Sequence, residues 1–244
     1  MPNARRAIAV VTGASSGIGK ALARYLLSQD YKVVLISQNK ERLESAYTEL
    51  LQVADHARVH AVSLDVGDYG HVTNAMEQIV AENKRIDILI NSAGYVKRGT
   101  SDLLHTEFAK MLHVNLEGVF NMVSAAVPTM KEQRSGRIIN ISSYSGIVVR
   151  STLGGYAASK SGLMGYNEAL HKELATYGIY VTAICPNLVD TEMTKDVTSV
   201  SKADLMQVDD IVHTLDYLLK LSPAVMVKEI ALQCRAKLLM ECDI

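Results

Sequence analysis

Tyr156 and Lys160 are the residues of this chain best suited to moving a proton. They stand four apart in Gly155-Tyr156-Ala157-Ala158-Ser159-Lys160, at the start of a strongly helical stretch running to about Tyr177, so both side chains leave one helix face. An ammonium beside a phenol favours the phenolate and draws a tyrosine down from its ordinary pKa of about 10. Such a tyrosine can give a proton to a carbonyl oxygen or take one from an alcohol. A single spacing of this kind recurs by chance, so the pair needs support from elsewhere in the chain. Ser142-Ser143 follows the apolar run 138–141 and offers a hydroxyl to the same substrate oxygen. Asn91-Ser92-Ala93-Gly94 closes another such run, and Asn115 lies in a helix-like segment.

A second chemistry sits near the N-terminus. Gly13, Ser15, Ser16, Gly17, Ile18 and Gly19 form a glycine loop directly after the apolar run 7–11 and directly before a helical segment. Glycines there allow a tight turn and a close approach to a pyrophosphate, while the helix start supplies free N–H groups and partial positive charge. The order strand, glycine loop, helix makes this a dinucleotide site rather than a plain turn. Ser15 and Ser16 either donate to phosphate or cap the helix. At the end of the next run, Ser37-Gln38-Asn39 carries no carboxylate to accept from a ribose 2'-hydroxyl or to repel a 2'-phosphate. Lys40 and Arg42 either attract that phosphate or are solvated helix charges. NADP(H) is therefore expected in preference to NAD(H).

The elements that position these groups follow from the hydrophobic pattern. Short aliphatic runs recur at 7–11, 32–36, 59–62, 86–90, 137–141, 179–184 and 225–232, separated by amphipathic stretches such as Leu22, Leu26 and Leu27 or Ile211, Leu215 and Leu218. That alternation predicts an α/β, doubly wound fold with a mostly parallel sheet and helices on both faces. At 244 residues, with 48% apolar and 21% charged residues and no linker or repeat, one domain spanning 1–244 is expected. The polar segment 187–207 breaks the alternation just after a strand and reads as a substrate lid.

The balance of 25 basic against 26 acidic residues argues against a nucleic-acid partner. Cys185, Cys234 and Cys242 lack a paired spacing, so neither a disulfide framework nor a thiolate metal site is expected. The seven histidines show no metal-ligand spacing and read as surface or packing residues. After Arg5 and Arg6 the apolar run is too short for a signal-peptide core, and no run is long enough to cross a bilayer. A cytoplasmic protein that does not enter a membrane is expected.

Thr12-Gly-x-x-x-Gly-x-Gly19, Asp65, Asn91-x-Ala-Gly94, Asn115, Ser143 and Tyr156-x-x-x-Lys160, taken in this order, resemble the short-chain dehydrogenase/reductase family in its compact branch. The resemblance extends from about residue 7 to residue 193. It implies a Rossmann-type seven-stranded sheet, a homotetramer or homodimer, and hydride transfer between a nicotinamide and a carbonyl or alcohol carbon of a small substrate. Tyr156 would then be the general acid/base, Lys160 would lower its pKa and hold the nicotinamide ribose, Ser143 would orient substrate, and Asn115 would anchor a water in a proton relay. Asp65 and Val66 would contact adenine, and Asn91, Ala93 and Gly94 would line the cofactor. Pro186 and Val189 also fall at cofactor-binding positions, and Thr191 matches the position that bonds the carboxamide.

Three departures from the family pattern bear on this. Pro186-Asn187 replaces the usual Pro-Gly, and asparagine tolerates left-handed backbone better than most residues. Ser92 replaces the second asparagine of the usual Asn-Asn-Ala-Gly. The C-terminal segment lacks the Asp-Gly-Gly ending of acyl reductases, which favours small hydroxy acids, amino-alcohols or varied carbonyls over a fatty-acyl carrier. The competing functions are a non-catalytic NAD(P)-sensing regulator or scaffold, and a methyltransferase sharing the same opening. Neither needs the Ser143, Tyr156 and Lys160 set.

Overall fold

A computed structural model describes residues 6–242; Arg5 and the side chain of Cys242 lie outside what it describes. The strands are β1 (Ile8–Thr12), β2 (Lys32–Ser37), β3 (Val59–Ser63), β4 (Ile88–Asn91), β5 (Gly136–Ile141), β6 (Ile179–Pro186) and β7 (Glu229–Leu232). Between and after them run α1 (Gly17–Ser28), α2 (Lys40–Leu50), α3 (Tyr69–Asn83), α4 (His105–Leu112), α5 (Gly118–Gln133), α6 (Gly154–Ala175), α7 (Val208–Lys220) and α8 (Arg235–Cys242). The seven strands lie in the order β3-β2-β1-β4-β5-β6-β7. All six pairings are parallel, so the mostly parallel sheet expected from the sequence is parallel throughout.

Each central strand is covered on both faces, which explains why it reads as a continuous aliphatic run instead of an alternation. In β1, Ala9 and Val11 join α1, α2 and α7 in one core, while Val10 faces α3, α5 and α6 in the other. The buried positions of α1, Leu22, Ala23, Leu26 and Leu27, repeat at helical spacing. Helix starts carry their own signals: Asn39 accepts from Arg42 N–H to cap α2, and Asp68 accepts from His71 N–H to cap α3.

The last aliphatic run is strand only over Glu229–Leu232, because residues 222–225 fold into a turn closed by Val225 N–H on the Ser222 carbonyl. The run at 86–90 likewise begins its strand at Ile88, since Ile86 N–H bonds the Gln133 side chain instead of a neighbouring strand. Strand order reverses between β1 and β4, whose outgoing chains leave toward opposite faces, and their separation opens a crevice at the carboxyl ends. No helix of the described residues is long and apolar enough to cross a membrane.

Leu26 is fully buried between α1 and the sheet. Leu26→Ala is expected to cost about 2–5 kcal/mol, measured as a lower urea midpoint at unchanged slope.

Candidate active site

The crevice is a cleft of about 350 Å³. Its floor is set where the first glycine turn meets the loop after β4. Gly13 has a φ of +64°, and a Cβ there would stand 2.7 Å from the Ser92 carbonyl oxygen. A Cβ on Gly19 would stand 2.3 Å from the Gly13 oxygen, so α1 can start this close to β1 only with hydrogen at that position. The Thr12 hydroxyl accepts N–H bonds from Ser92 at 3.0 Å and Ala93 at 3.1 Å, fastening the two loops across the switch point.

Ser16 occupies the N-cap of α1 but makes no capping hydrogen bond, and the first turn holds no acidic residue. The first-turn N–H groups therefore face the cleft without a side-chain partner, a donor set suited to phosphate. Ser15 does not cap either; its hydroxyl lies 2.9 Å from that of Ser37. Gln38 donates to Asp65 at 2.9 Å, and the other Asp65 oxygen accepts Gly67 N–H. Ser37, Gln38, Asp65 and Val66 thus gather at one end of the cleft, with the loop residues Gly13 to Gly19 beside them. Neither Lys40 nor Arg42 is among the lining residues. Lys40 pairs with Glu44 at 3.9 Å on the helix surface, whereas Arg42 lies near enough to Glu192 and Lys195 of segment 187–207 to act on their charges.

Ala93, Gly94, Ser143, Tyr156, Lys160, Pro186, Val189 and Thr191 line the other end. Tyr156, Ser143 and Lys160 are 8, 7 and 3% exposed, so the proton-bearing groups are largely removed from water. The Lys160 Nζ stands 5.9 Å from the Tyr156 ring centre and donates to the Ile141 carbonyl at 2.9 Å. Burial pulls the Lys160 pKa from 10.5 down to about 8. Burial pushes the Tyr156 phenol up, and a hydrogen bond from Ser143 offsets part of that rise. The downward shift expected from the ammonium is thus reversed in direction: desolvation of the phenolate outweighs its neighbours. Cys185, beneath the site, is fully buried and pushed up to about 11, also by burial.

Asn91 and Asn115 do not line the cleft. Asn91 points along the sheet and donates to Asn140 at 2.9 Å. Asn115 sits in a π-helical turn, His113–Glu117, between α4 and α5. Its side chain accepts Tyr95 N–H at 2.7 Å and donates to the Tyr95 carbonyl at 2.8 Å, clamping the loop after Gly94. The same amide donates to Ser159, whose hydroxyl bonds the Tyr156 carbonyl at 2.7 Å.

Segment 187–207 is more ordered than its polarity suggests. Val200 and Leu205 bury against Cys234, and Val189 bridges Met206. From it Thr191 reaches over Gly17 and Met193 over Gly94, on the two sides of the cleft.

Sequence reasoning did not single out Lys110 or Glu192 as cleft residues, although both line it. No spacing signal marks them, because they arrive from α4 and from segment 187–207. Ser142 was visible only as the neighbour of Ser143; its buried hydroxyl has no partner.

The family model described as short chain dehydrogenase matches residues 7–202. The chain belongs to the short-chain dehydrogenase family. An uncharacterized oxidoreductase of Staphylococcus aureus strain MW2 is 38% identical over 93% of this chain and 96% of its own, and one of Staphylococcus epidermidis is 32% identical over 96% and 99%. Among solved structures, a betaketoacyl-[ACP] reductase from Bacteroides thetaiotaomicron superposes with a TM-score of 0.85 at 31% identity, covering 96% of this chain and 99% of that one. A variant of actinorhodin polyketide ketoreductase with NADPH gives 0.85 at 28% identity, covering 96% and 97%.

Short-chain dehydrogenases use nicotinamide cofactors, and two observations fit this chain to one: the uncapped start of α1 behind a cradle that a Cβ at Gly19 would fill, and the unpartnered Ser142 hydroxyl at the opposite end. Asn187 makes no use of left-handed backbone. Its φ is not positive, and its N–H bonds the Leu232 carbonyl at 2.9 Å, so the turn after β6 does not require the missing glycine.

Gly19→Ala is expected to weaken NADPH and NADH binding about tenfold or more, equivalent to at least about 1.4 kcal/mol, in a fluorescence titration of the folded variant. Lys160 yields a second expectation. Between about pH 8 and the ordinary lysine value of 10.5 the unfolded chain holds a proton that the folded chain has lost, so stability from this group is lowest below pH 8 and climbs with pH. Urea unfolding at pH 7, 8.5 and 9.5 should show the wild type gaining stability relative to Lys160→Met; a constant difference rejects the lowered pKa.

Proposed function

We propose that this short-chain dehydrogenase reduces the carbonyl of a small substrate with NADPH, Tyr156 serving as the proton donor. The observation that carries the reading is the burial of Tyr156, Ser143 and Lys160 together in a cleft that is also lined by the uncapped start of α1. When bound, the nicotinamide supplies the hydride.

The chain's own groups do the rest. Ser143 and Tyr156 are hydrogen-bonded neighbours, and a substrate oxygen held by both hydroxyls would have its developing alkoxide stabilised by two hydrogen bonds in a water-poor site. Tyr156 Oη gives its proton to that oxygen. Because burial holds the phenol protonated, the donor form dominates at neutral pH, which favours reduction over alcohol oxidation. Lys160, with a pKa of about 8, remains mostly cationic at pH 7 and stabilises the phenolate left behind. Asn115 acts through the Tyr95 backbone and Ser159, which places it behind the reacting atoms.

The preference for NADPH rests on the absence of a carboxylate at positions 37–39 and on Arg42, which faces the lid and not a helix partner. The related ketoreductase crystallised with NADPH is consistent with it. The cleft residues Asp65, Val66, Ala93, Gly94, Pro186, Val189 and Thr191 would hold the cofactor, with segment 187–207 as the lid of one domain. A homodimer or homotetramer working in the cytoplasm completes the reading.

A carbonyl panel followed at 340 nm tests it. Tyr156→Phe should lower kcat by about 100- to 10,000-fold while NADPH binding persists; equal rates in the two proteins would remove the proposed role of the phenol. Arg42→Ala should raise KM for NADPH about tenfold, about 1.4 kcal/mol, and leave that for NADH unchanged. An equal rise for both cofactors rejects the assignment of Arg42.

A further inference from the structure

A line of amide side chains crosses the sheet beneath α6. The strand register sets Asn91 beside Asn140, Asn140 beside Ala183 and Ala183 beside Glu229, so one rung runs from β4 to β7. Along it Asn91 Nδ2 donates to Asn140 Oδ1 at 2.9 Å and Asn140 Nδ2 donates to Asn167 Oδ1 at 3.0 Å. Asn167 Nδ2 donates in turn to the Lys228 carbonyl at 3.1 Å. All three asparagines are at most 2% exposed. Ala183 presents only a methyl group on this rung, which leaves room for the α6 side chain to reach across to β7.

The chain of bonds has one allowed direction. A main-chain carbonyl only accepts, so Asn167 must turn its Nδ2 to Lys228 and its Oδ1 to Asn140, and Asn140 must then offer its Oδ1 to Asn91. The leftover acceptor falls at the far end, and among the described residues Asn91 Oδ1 is indeed one of the two buried side-chain polar atoms without a partner.

This rung matters to the reaction because of where Asn167 lies. The buried stripe of α6 runs Tyr156, Lys160, Leu163, Asn167, Leu170, Leu174, so Asn167 is on the face of the catalytic pair, two turns from Lys160. Lys160 donates to the carbonyl of Ile141, and Asn167 accepts from Asn140, the residue before it. The helix is therefore fastened to consecutive residues of β5 at two points. Leucines between helix and sheet attract without direction and do not fix axial height; directional bonds in a buried network do. Ser143 stands on the same strand's exit, two residues beyond Ile141.

We propose that Asn140 and Asn167 are positioning residues for catalysis: by holding α6 at one height and rotation on β5, they set the approach of Tyr156 to Ser143. The inference rests on the reading of Tyr156 as proton donor. It assigns work to two buried amides that no family motif marks in this sequence.

The test compares Asn167→Leu, Asn140→Ala, the double variant Asn140→Ala/Asn167→Ala and, as a control, Leu170→Ala, which opens a cavity on the same helix face. For each folded protein, kcat and KM for NADPH are measured. The midpoint of Tyr156 ionisation is read by ultraviolet difference against Tyr156→Phe in the same background. Misplacement of reacting groups should lower kcat about tenfold or more in each Asn variant, move the Tyr156 midpoint, and leave KM within about twofold. The double variant should lose no more than the worse single one, since both break the same support. Leu170→Ala should lower the melting temperature and keep wild-type kcat. Wild-type kcat with an unmoved midpoint in Asn167→Leu overturns the proposal, as does an equal kcat loss in Leu170→Ala. Should Asn167→Leu not fold, Asn167→Ser, whose hydroxyl is too short to span both neighbours, is expected to show an intermediate loss, and wild-type values there overturn the proposal equally. Equal activity of Tyr156→Phe and wild type sinks the acid–base reading instead, and the spectroscopic midpoint still reports on the placement of α6.

Discussion

The hydroxyl of Thr12 accepting two backbone N–H groups from the loop after β4 is the contact on which the site is built. Parallel strands whose order reverses must send their outgoing chains apart, and the gap they leave is where a ligand can enter. Left alone, that gap would let the glycine loop and the β4 loop drift independently. Thr12 ties them, and Gly13 passes beneath Ser92 at a distance no side chain could share. The start of α1 and the loop after β4 are thereby set in one frame.

Desolvation is the second constraint, and it acts in opposite senses on two neighbours. It makes the phenol of Tyr156 hold its proton more tightly and the ammonium of Lys160 hold its proton less tightly. The outcome is a site that disfavours charge on either group, where a nearby charge has large leverage. The lysine is kept from collapse onto the phenol by its bond to the Ile141 carbonyl, which also ties the helix to the strand that ends at the serines.

Much of this was readable in the chain. Each of the seven aliphatic runs overlaps one strand, most plainly in β1, β2 and β4, which are buried along almost their whole length, and the glycine loop and Tyr156-x-x-x-Lys160 are local in sequence. The reading failed where the deciding contacts are long-range. The charge effect expected of Lys160 ignored how deeply Tyr156 is covered, which depends on segments far away. Asn115 does lie in helical backbone, but nothing local showed that the turn is widened or that its amide grips Tyr95. Ser16 read equally as a phosphate donor or a helix cap, and only the absence of a capping bond, seen in three dimensions, separates the two. Lys110 and Glu192 carry no spacing signal at all. Val225 reads as the start of the last strand and closes a turn onto Ser222 instead, so the strand begins only at Glu229.

Segment 187–207 is anchored by Val200 and Leu205, which pack against Cys234 just after β7, while its inner edge bears Thr191 and Met193. A segment stiffened in this way holds that inner edge in place along the cleft. Its inner surface can be re-cut by substitution to admit a different molecule, and the machinery on the opposite wall keeps its alignment while tastes change.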